Sequence, residues 1–349
     1  MNKYENLVMY PYKIKYYPRQ AVWETTLKCN MNCMHCGSKA GISRENELTT
    51  EECLDIAQQL IDMGCEYITL IGGEIFLKKD WEKIARKFVD GGVHTNIITN
   101  AYNLGEKQYQ QLKDSGITQV AISVDGMEEI HNKIRRNPKS FYYVLKAMDR
   151  LKKEGYYLSV VTTVSNLNFD CLEEMYKLFL DKGIEIWQLQ VVSPMGNARE
   201  NKEVLLSKDK MPLITKFIRD KNEEGKMLVL AGDNVGYFDE NEDFIRAGQG
   251  CFNGCPAGKY VVGLDSIGRV KGCESLQSDE FIEGNLRENT LDEIWNKEGA
   301  FSYNRNFSTD MLGGKCKDCD KAYFCKGGCR QLSNFSSGNK YESVYCCYK

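Results

Sequence analysis

The sequence reads as an α/β protein: a partial (β/α)6, TIM-like barrel followed by a cysteine-rich C-terminal unit. Two observations carry this. Short apolar β-branched runs alternate with amphipathic helical runs over the first two-thirds of the chain, which implies parallel strands joined by right-handed crossovers. Nine of the fifteen cysteines then lie from Cys251 onward, where that alternation stops.

Taken in order, 21–25 reads as the first strand and leads into a cysteine loop. Thr49-Thr50-Glu51-Glu52 has hydroxyl caps before acidic residues and starts a helix running to about Met63. A strand at 67–71 ends in Gly72-Gly73-Glu74. Helix 81–89, strand 95–99, helix 106–114 and strand 119–124 follow, then helix 141–154, strand 158–164, helix 172–181 and strand 185–191. Such barrels gather chemistry on loops at the C-terminal strand ends, where the cysteine loop and Gly-Gly-Glu both fall. The expected boundaries are an aromatic segment at 1–20, the barrel at 21–232 and the cysteine-rich unit at 233–349. The aromatic segment reads as an edge strand or a peptide-docking strip.

Composition narrows the function. A formal net charge of −3 gives no basic field for nucleic acid or anionic lipid. No apolar run of about eighteen residues is present, so no membrane span is expected. The start, MNKYENLVMYPYKIKYY, lacks a signal-peptide apolar region. The final CCYK fits a prenylation pattern only superficially, since lysine is atypical in its last place. Fifteen cysteines in a chain of 349 residues without an export signal point to a reducing cytoplasm, with thiolates committed to metal.

Cys29, Cys33 and Cys36 form a C-x3-C-x2-C run, CNMNCMHC. Such spacing also suits one buried helix face, but Asn30, Asn32 and Gly37 favour turns. Three cysteines do not complete a structural zinc tetrahedron. Three thiolates can hold a 4Fe–4S cluster and leave its fourth iron open. The run closely resembles the signature of the radical S-adenosylmethionine (radical SAM) superfamily, in which that iron chelates SAM. Gly72-Gly73-Glu74 resembles the element that holds the SAM amino group, with Ile75 where the family usually has proline. Asn100 closes the third strand; Ser123 and Asp125, in ISVDG, close the fourth. The resemblance implies that this last segment lies beside SAM and that Arg135, with Arg136 as competitor, pairs with the SAM carboxylate. Thr163 and Gln190 are further pocket candidates.

In the last third, Cys255 is followed after twelve residues by Gly268 and after four more by Cys273. Cys316, Cys319, Cys325 and Cys329 are spaced C-x2-C-x5-C-x3-C, and Cys346-Cys347 closes the chain. Zinc ribbons also use close cysteine pairs, but their usual pair-to-pair gap is absent. The arrangement resembles the SPASM domain, which implies two auxiliary iron–sulfur clusters. By that resemblance Cys255, Cys273 and Cys329 serve the first, with Cys251 as fourth ligand; if Cys251 is not a ligand, one iron is free for substrate. Cys316, Cys319, Cys325 and one of the final pair, preferably Cys346, serve the second. Glu274 matches an aspartate proposed as the substrate base in sulfatase maturases, and reads equally as a structural acceptor. Pro194–Ala198 reads as a connector or a channel wall; Cys53, Cys65 and Cys171 read as core.

The resemblance implies an enzyme with SAM and three 4Fe–4S clusters, one binding SAM and two auxiliary. It would cleave SAM reductively and abstract hydrogen from a residue of a ribosomally made precursor peptide, forming a thioether or carbon–carbon crosslink. It further implies a reductant such as flavodoxin or ferredoxin. With Cys29 so near the start, leader recognition is expected to fall to a separate protein or to direct docking. The alternatives are an anaerobic sulfatase-maturing enzyme, weakened by glutamate at 274, and a non-enzymatic zinc scaffold.

Overall fold

A computed structural model describes residues 15–246 and 251–348. Most of the N-terminal aromatic segment lies outside the described residues. Ten strands form one sheet: β1 (Gln20–Glu24), β2 (Tyr67–Ile71), β3 (His94–Thr99), β4 (Gln119–Ser123), β5 (Tyr157–Val164), β6 (Ile186–Val191), β7 (Leu228–Ala231), β8 (Val261–Leu264), β9 (Arg269–Lys271) and β10 (Gly284–Asn285). Their spatial order is β10-β9-β8-β1-β2-β3-β4-β5-β6-β7. β1 to β7 pair in sequence and in parallel. Parallel neighbours need crossovers, which α1 (Thr50–Asp62), α2 (Trp81–Asp90), α3 (Glu106–Ser115), the pair α4 (Glu128–Arg135) and α5 (Ser140–Lys153), α6 (Leu172–Asp181) and α7 (Met211–Glu224) supply.

The barrel thus has a seventh strand beyond the six units expected. The sequence signal for it is weak because β7 is four residues long and α7 is charged and opens on Pro212. The short helix α4 was also not predicted; it ends at Arg136, which turns left-handed at φ 52° before Asn137-Pro138. Elsewhere the expected elements form, their ends shifted by a residue or two. α1 starts as Thr49 predicts: its hydroxyl accepts from Glu52 N, and Glu52 Oε2 accepts from Thr49 N.

The core lies between helices and sheet. Trp23, Trp81, Trp187 and Trp295 are wholly buried. Trp23 meets Phe88 edge to face, and Trp187 donates its indole N–H to Thr162 Oγ1 at 2.8 Å, so this aromatic is buried with its polar tip satisfied. Truncating one such side chain costs about 3–5 kcal/mol.

The C-terminal unit joins the same sheet. β8 pairs with β1 in parallel, and β9 and β10 extend it antiparallel. The expected boundary after 232 therefore falls between two strands of one continuous sheet. Short helices α8 (Glu242–Ile245), α9 (Leu291–Asn296), α10 (Ser302–Arg305) and α11 (Ala322–Cys325), then α12 (Arg330–Ser337), complete the unit.

Candidate active site

The cysteine loop leaves β1 and is fastened from both sides. Cys29 N donates to Gly41 O at 3.0 Å, and Gly41 N returns to Leu27 O at 3.0 Å. The Glu47 carboxylate accepts from Leu27 N and from Thr26 Oγ1. Across the barrel, Asn197 N donates to Cys36 O and its side-chain amide to Cys33 O, both at 2.9 Å. Gly196 adopts φ +53°, and a Cβ there would overlap the Cys36 carbonyl. Pro194–Ala198 is therefore more than a connector: it clamps the cysteine loop.

Gly72 and Gly73 approach the same loop. Gly73 N donates to Thr26 O and Glu74 N to Lys28 O. A Cβ on Gly73 would overlap the Lys28 carbonyl, so backbone packing already demands this glycine, before any ligand. Both glycines also border the cavity beyond.

That cavity, about 330 Å³, has the size of a small-molecule site. The sulfur-bearing Cys29, Cys33 and Cys36 line one side, with Gly72 and Gly73. Asn100, Ser123, Thr163 and Gln190 line the floor at or near successive strand ends, Arg135 joins them from the end of α4, and Glu274 closes it from the C-terminal unit. The thiols meet donors: Met31 N reaches Cys29 Sγ at 3.4 Å, Ala40 N reaches Cys36 Sγ at 3.4 Å, and Arg135 Nη1 lies 3.7 Å from Cys33 Sγ. Burial pushes the Cys29 thiol up to about 12 and raises Cys33 too, against the Arg135 charge. A metal that takes the proton's place offsets this cost of forming the Cys29 and Cys33 thiolates.

Glu74 and Asp125 sit behind the cavity wall rather than on it. Glu74 Oε1 accepts from Thr99 Oγ1 at 2.7 Å and Oε2 from Asn100 N at 2.9 Å, bracing β2 to β3. Burial raises its pKa, against these donors. Asp125 is saturated: His35 Nε2 lies at 2.8 Å, Arg135 Nη2 at 2.6 Å, and Thr163 N donates to Oδ1 at 2.9 Å. Burial alone would raise its pKa; Arg135 and His35 outweigh that and hold it far below the ordinary value. Arg135 is accordingly paired within the protein, and Nε is its one nitrogen left without a partner. Arg136 points away, to Asn201.

Glu274 is buried with Gln277 Nε2 on Oε1 at 2.9 Å and with Lys271 Nζ 3.2 Å from both carboxylate oxygens, an ion pair that makes no well-aligned hydrogen bond to Oε2. Burial pushes this carboxyl up to about 8, against Lys271. Sequence reasoning missed His35, Lys271, Asn197 and Gln331. Gln331, on α12, lines the cavity and donates to Met195 Sδ. Its proximity to Cys329 in sequence was the available signal.

Two further thiol groups lie in the C-terminal unit. Cys255, Cys273 and Cys329 gather together: burial first, then Cys255, raise the pKa of Cys273 and Cys329, and Asp233 faces both. Cys251 is exposed, unlike these three. Cys316, Cys319, Cys325 and Cys346 line one small apolar cavity, while Cys347 turns toward Asp239 and Thr215. Tyr237 stands between the groups: Cys329 N donates to its hydroxyl at 3.0 Å, and its ring lines the second cavity. Among the described residues no three His, Cys, Asp or Glu close on a single ion. Thiols spread around a space suit a cluster, whose thiolates bind separate irons.

Comparison with known proteins agrees with this layout. A family profile described as the radical SAM superfamily matches residues 23–179, and an iron-sulfur cluster-binding (SPASM) profile matches 255–320. An AdoMet-dependent heme synthase from Methanosarcina barkeri is 28% identical over 95% of this chain and 97% of its own length. The mycofactocin maturase MftC of Mycolicibacterium smegmatis is 27% identical over 90% of this chain and 78% of its own. The crystal structure of Streptococcus suis SuiB bound to precursor peptide SuiA shares the fold, with a TM-score of 0.75 at 15% identity, over 96% of this chain and 77% of that one.

Proposed function

The chain belongs to the radical SAM superfamily and carries a SPASM domain, and from that premise we propose that this enzyme modifies a residue within a ribosomally made precursor peptide, forming a thioether or carbon–carbon crosslink. The observation that carries the reading is one cavity bounded by three thiols on one side and the buried Glu274–Lys271 pair on the other. Cys29, Cys33 and Cys36 would hold the SAM-binding cluster; Asn100, Ser123, Thr163, Gln190 and the free Nε of Arg135 would contact SAM. Cys255, Cys273 and Cys329, and Cys316, Cys319, Cys325 and Cys346, would hold the auxiliary clusters. When bound, these groups supply a carbon-centred radical that abstracts hydrogen from an unactivated carbon, and acceptors for the electron released afterwards.

The chain's own residues do the rest. His35 and Arg135 pair with Asp125 directly behind the cavity floor and so hold Arg135 in place there. The Gly196 loop and Gln331 wall off water on the side of the C-terminal unit. Glu274, on the cavity wall with a carboxyl of raised proton affinity, would take a proton from substrate. A cytoplasmic setting, a flavodoxin- or ferredoxin-like reductant and a separate leader-binding protein belong to the same proposal. No helix among the described residues is long and apolar enough to cross a membrane.

A second reading is a tetrapyrrole substrate, favoured by the match over nearly the whole heme synthase of M. barkeri. The cavity argues against it. Haem carries carboxylate side chains, yet among the described residues the one arginine lining the cavity is already paired to Asp125. A neutral peptide segment suits these walls better; MftC, a maturase, and SuiB, which binds the precursor peptide SuiA, are similar proteins. The test is anaerobic reconstitution followed by incubation with SAM, reductant and either a precursor peptide such as SuiA, a sulfatase-derived peptide, or an iron-porphyrin carboxylate. A mass loss of about two hydrogens on the first peptide supports the proposal. Turnover of the porphyrin alone, or of the sulfatase peptide alone, refutes it.

A further inference from the structure

Arg330 follows Cys329 directly and is almost wholly buried, at 1% exposure. Its Nη1 donates to three carbonyls, of Lys326 at 2.6 Å and of Gly328 and Lys340 at 3.3 Å. Nε and Nη2 have no partner. The guanidinium stacks over Tyr341 at 4.6 Å and Phe307 at 5.5 Å. No ion pair to a carboxylate is made by Arg330, Lys326 or Lys259 among the described residues. A buried guanidinium without a counter-charge is expensive. Two of the carbonyls it caps, of Lys326 and Gly328, adjoin Cys325 and Cys329, one thiol of each C-terminal set; burial lowers its pKa, and these thiols with Cys255 and Tyr341 oppose that. Lys259 reinforces the pattern: burial, then Lys326 and Arg330, lower its pKa to about 8 while Cys255 opposes them. A cationic group thus lies against two sets of thiols with no carboxylate to balance it.

We propose that Arg330 is the shared counter-cation of the two auxiliary clusters, with Nε and Nη2 available to cluster sulfur, and that its charge raises their reduction potentials. This rests on the reading that both thiol groups hold iron–sulfur clusters. A thiolate-ligated cluster is anionic, and more so when reduced, so a fixed cation in low dielectric favours the reduced form. The arginine therefore makes the auxiliary clusters better electron acceptors, and their charge compensates its burial.

The test is EPR-monitored redox titration of anaerobically reconstituted wild type, Arg330→Gln and Arg330→Lys, with iron counted in each. Iron content and auxiliary-cluster signals in the wild type check the cluster reading by themselves. With iron retained, Arg330→Gln should shift the reduction equilibrium of at least one auxiliary cluster by about tenfold toward the oxidised form, about 59 mV for one electron. Arg330→Lys, which keeps the charge, should stay within about threefold of wild type. A purely structural carbonyl cap predicts no such split, so unmoved potentials in Arg330→Gln overturn the proposal. If that variant fails to hold iron, Lys326→Gln leaves the guanidinium in place and should move the potential the same way by a smaller factor. No shift there overturns it equally.

Discussion

At the scale of single residues, the site is defined by carboxylates in opposite states. Asp125 is ionised and saturated; Glu274 is buried with its proton affinity raised against Lys271. Their neighbours in space decide this. The Ser-x-Asp-Gly segment and the position after Cys273 marked both residues as candidates, but His35 and Arg135 reach Asp125 across 90 and 10 positions, and no local pattern encodes that. Asp125→Asn leaves the buried Arg135 without its counter-charge. Removing one partner of a buried pair costs about 3–5 kcal/mol, so chemical denaturation of the metal-free protein should show a loss of that order. A loss under about 1 kcal/mol would mean that the pair is solvated in solution. Glu274→Gln is expected to leave 5′-deoxyadenosine formation within about threefold of wild type while modified peptide falls by about a hundredfold or more. Equal loss of both would assign Glu274 to SAM binding or folding instead of proton transfer.

At the scale of elements, strands β1 to β6 and the helices between them were legible because apolar periodicity and caps act locally. β7, α4 and the clamp at Pro194–Ala198 were not, since they are short and their partners lie far along the chain. Gly196 shows the limit: its glycine is required by the Cys36 carbonyl, about 160 residues away in sequence. Gly196→Ala forces both strain at positive φ and a backbone overlap. It should reduce iron loading at the first cysteine loop while the two auxiliary signals persist in EPR; full loading of all clusters would remove the clamp from the argument. Glu52 links elements differently. Its carboxylate caps α1 and pairs with Arg287 of the C-terminal unit through both oxygens. The Arg287 hydrogen bond, then the cap, lower its pKa from 4.5 to about 2. A depressed carboxylate pKa stabilises above the unfolded value and fades as pH falls toward the folded one. Glu52→Gln should thus cost about 1 kcal/mol at neutral pH, discounted for partial exposure, and the gap from wild type should narrow from pH 4.5 down toward 2. A pH-independent gap would assign the effect to packing alone.

At the scale of the whole molecule, the barrel and the cysteine-rich unit are written separately in the sequence yet share one sheet. Cysteine spacing announces the second unit, but nothing local says that Val261–Leu264 will pair with Gln20–Trp23. That pairing runs beside the cysteine loop. Arg44 bonds Glu24 on β1 and reaches Ser266 Oγ at 2.7 Å, and Leu48 N donates to Ser266 O at 2.7 Å. The C-terminal unit therefore covers the β1 edge and holds the loop that carries Cys29, Cys33 and Cys36. A chain ending at residue 232 would leave the β1 edge unpaired and the buried Glu24–Arg44 pair without its hydroxyl partner. We expect such a chain to lose cooperative unfolding in urea and to retain little of the near-ultraviolet signal of its buried tryptophans, even though it keeps seven parallel strands. It should also fail to take up iron at the first cysteine loop, where an independent barrel would bind about four irons. A truncated chain that unfolds cooperatively, holds its cluster and cleaves SAM would show that the barrel is self-sufficient, and that the β1–β8 pairing only docks the second unit onto a finished site.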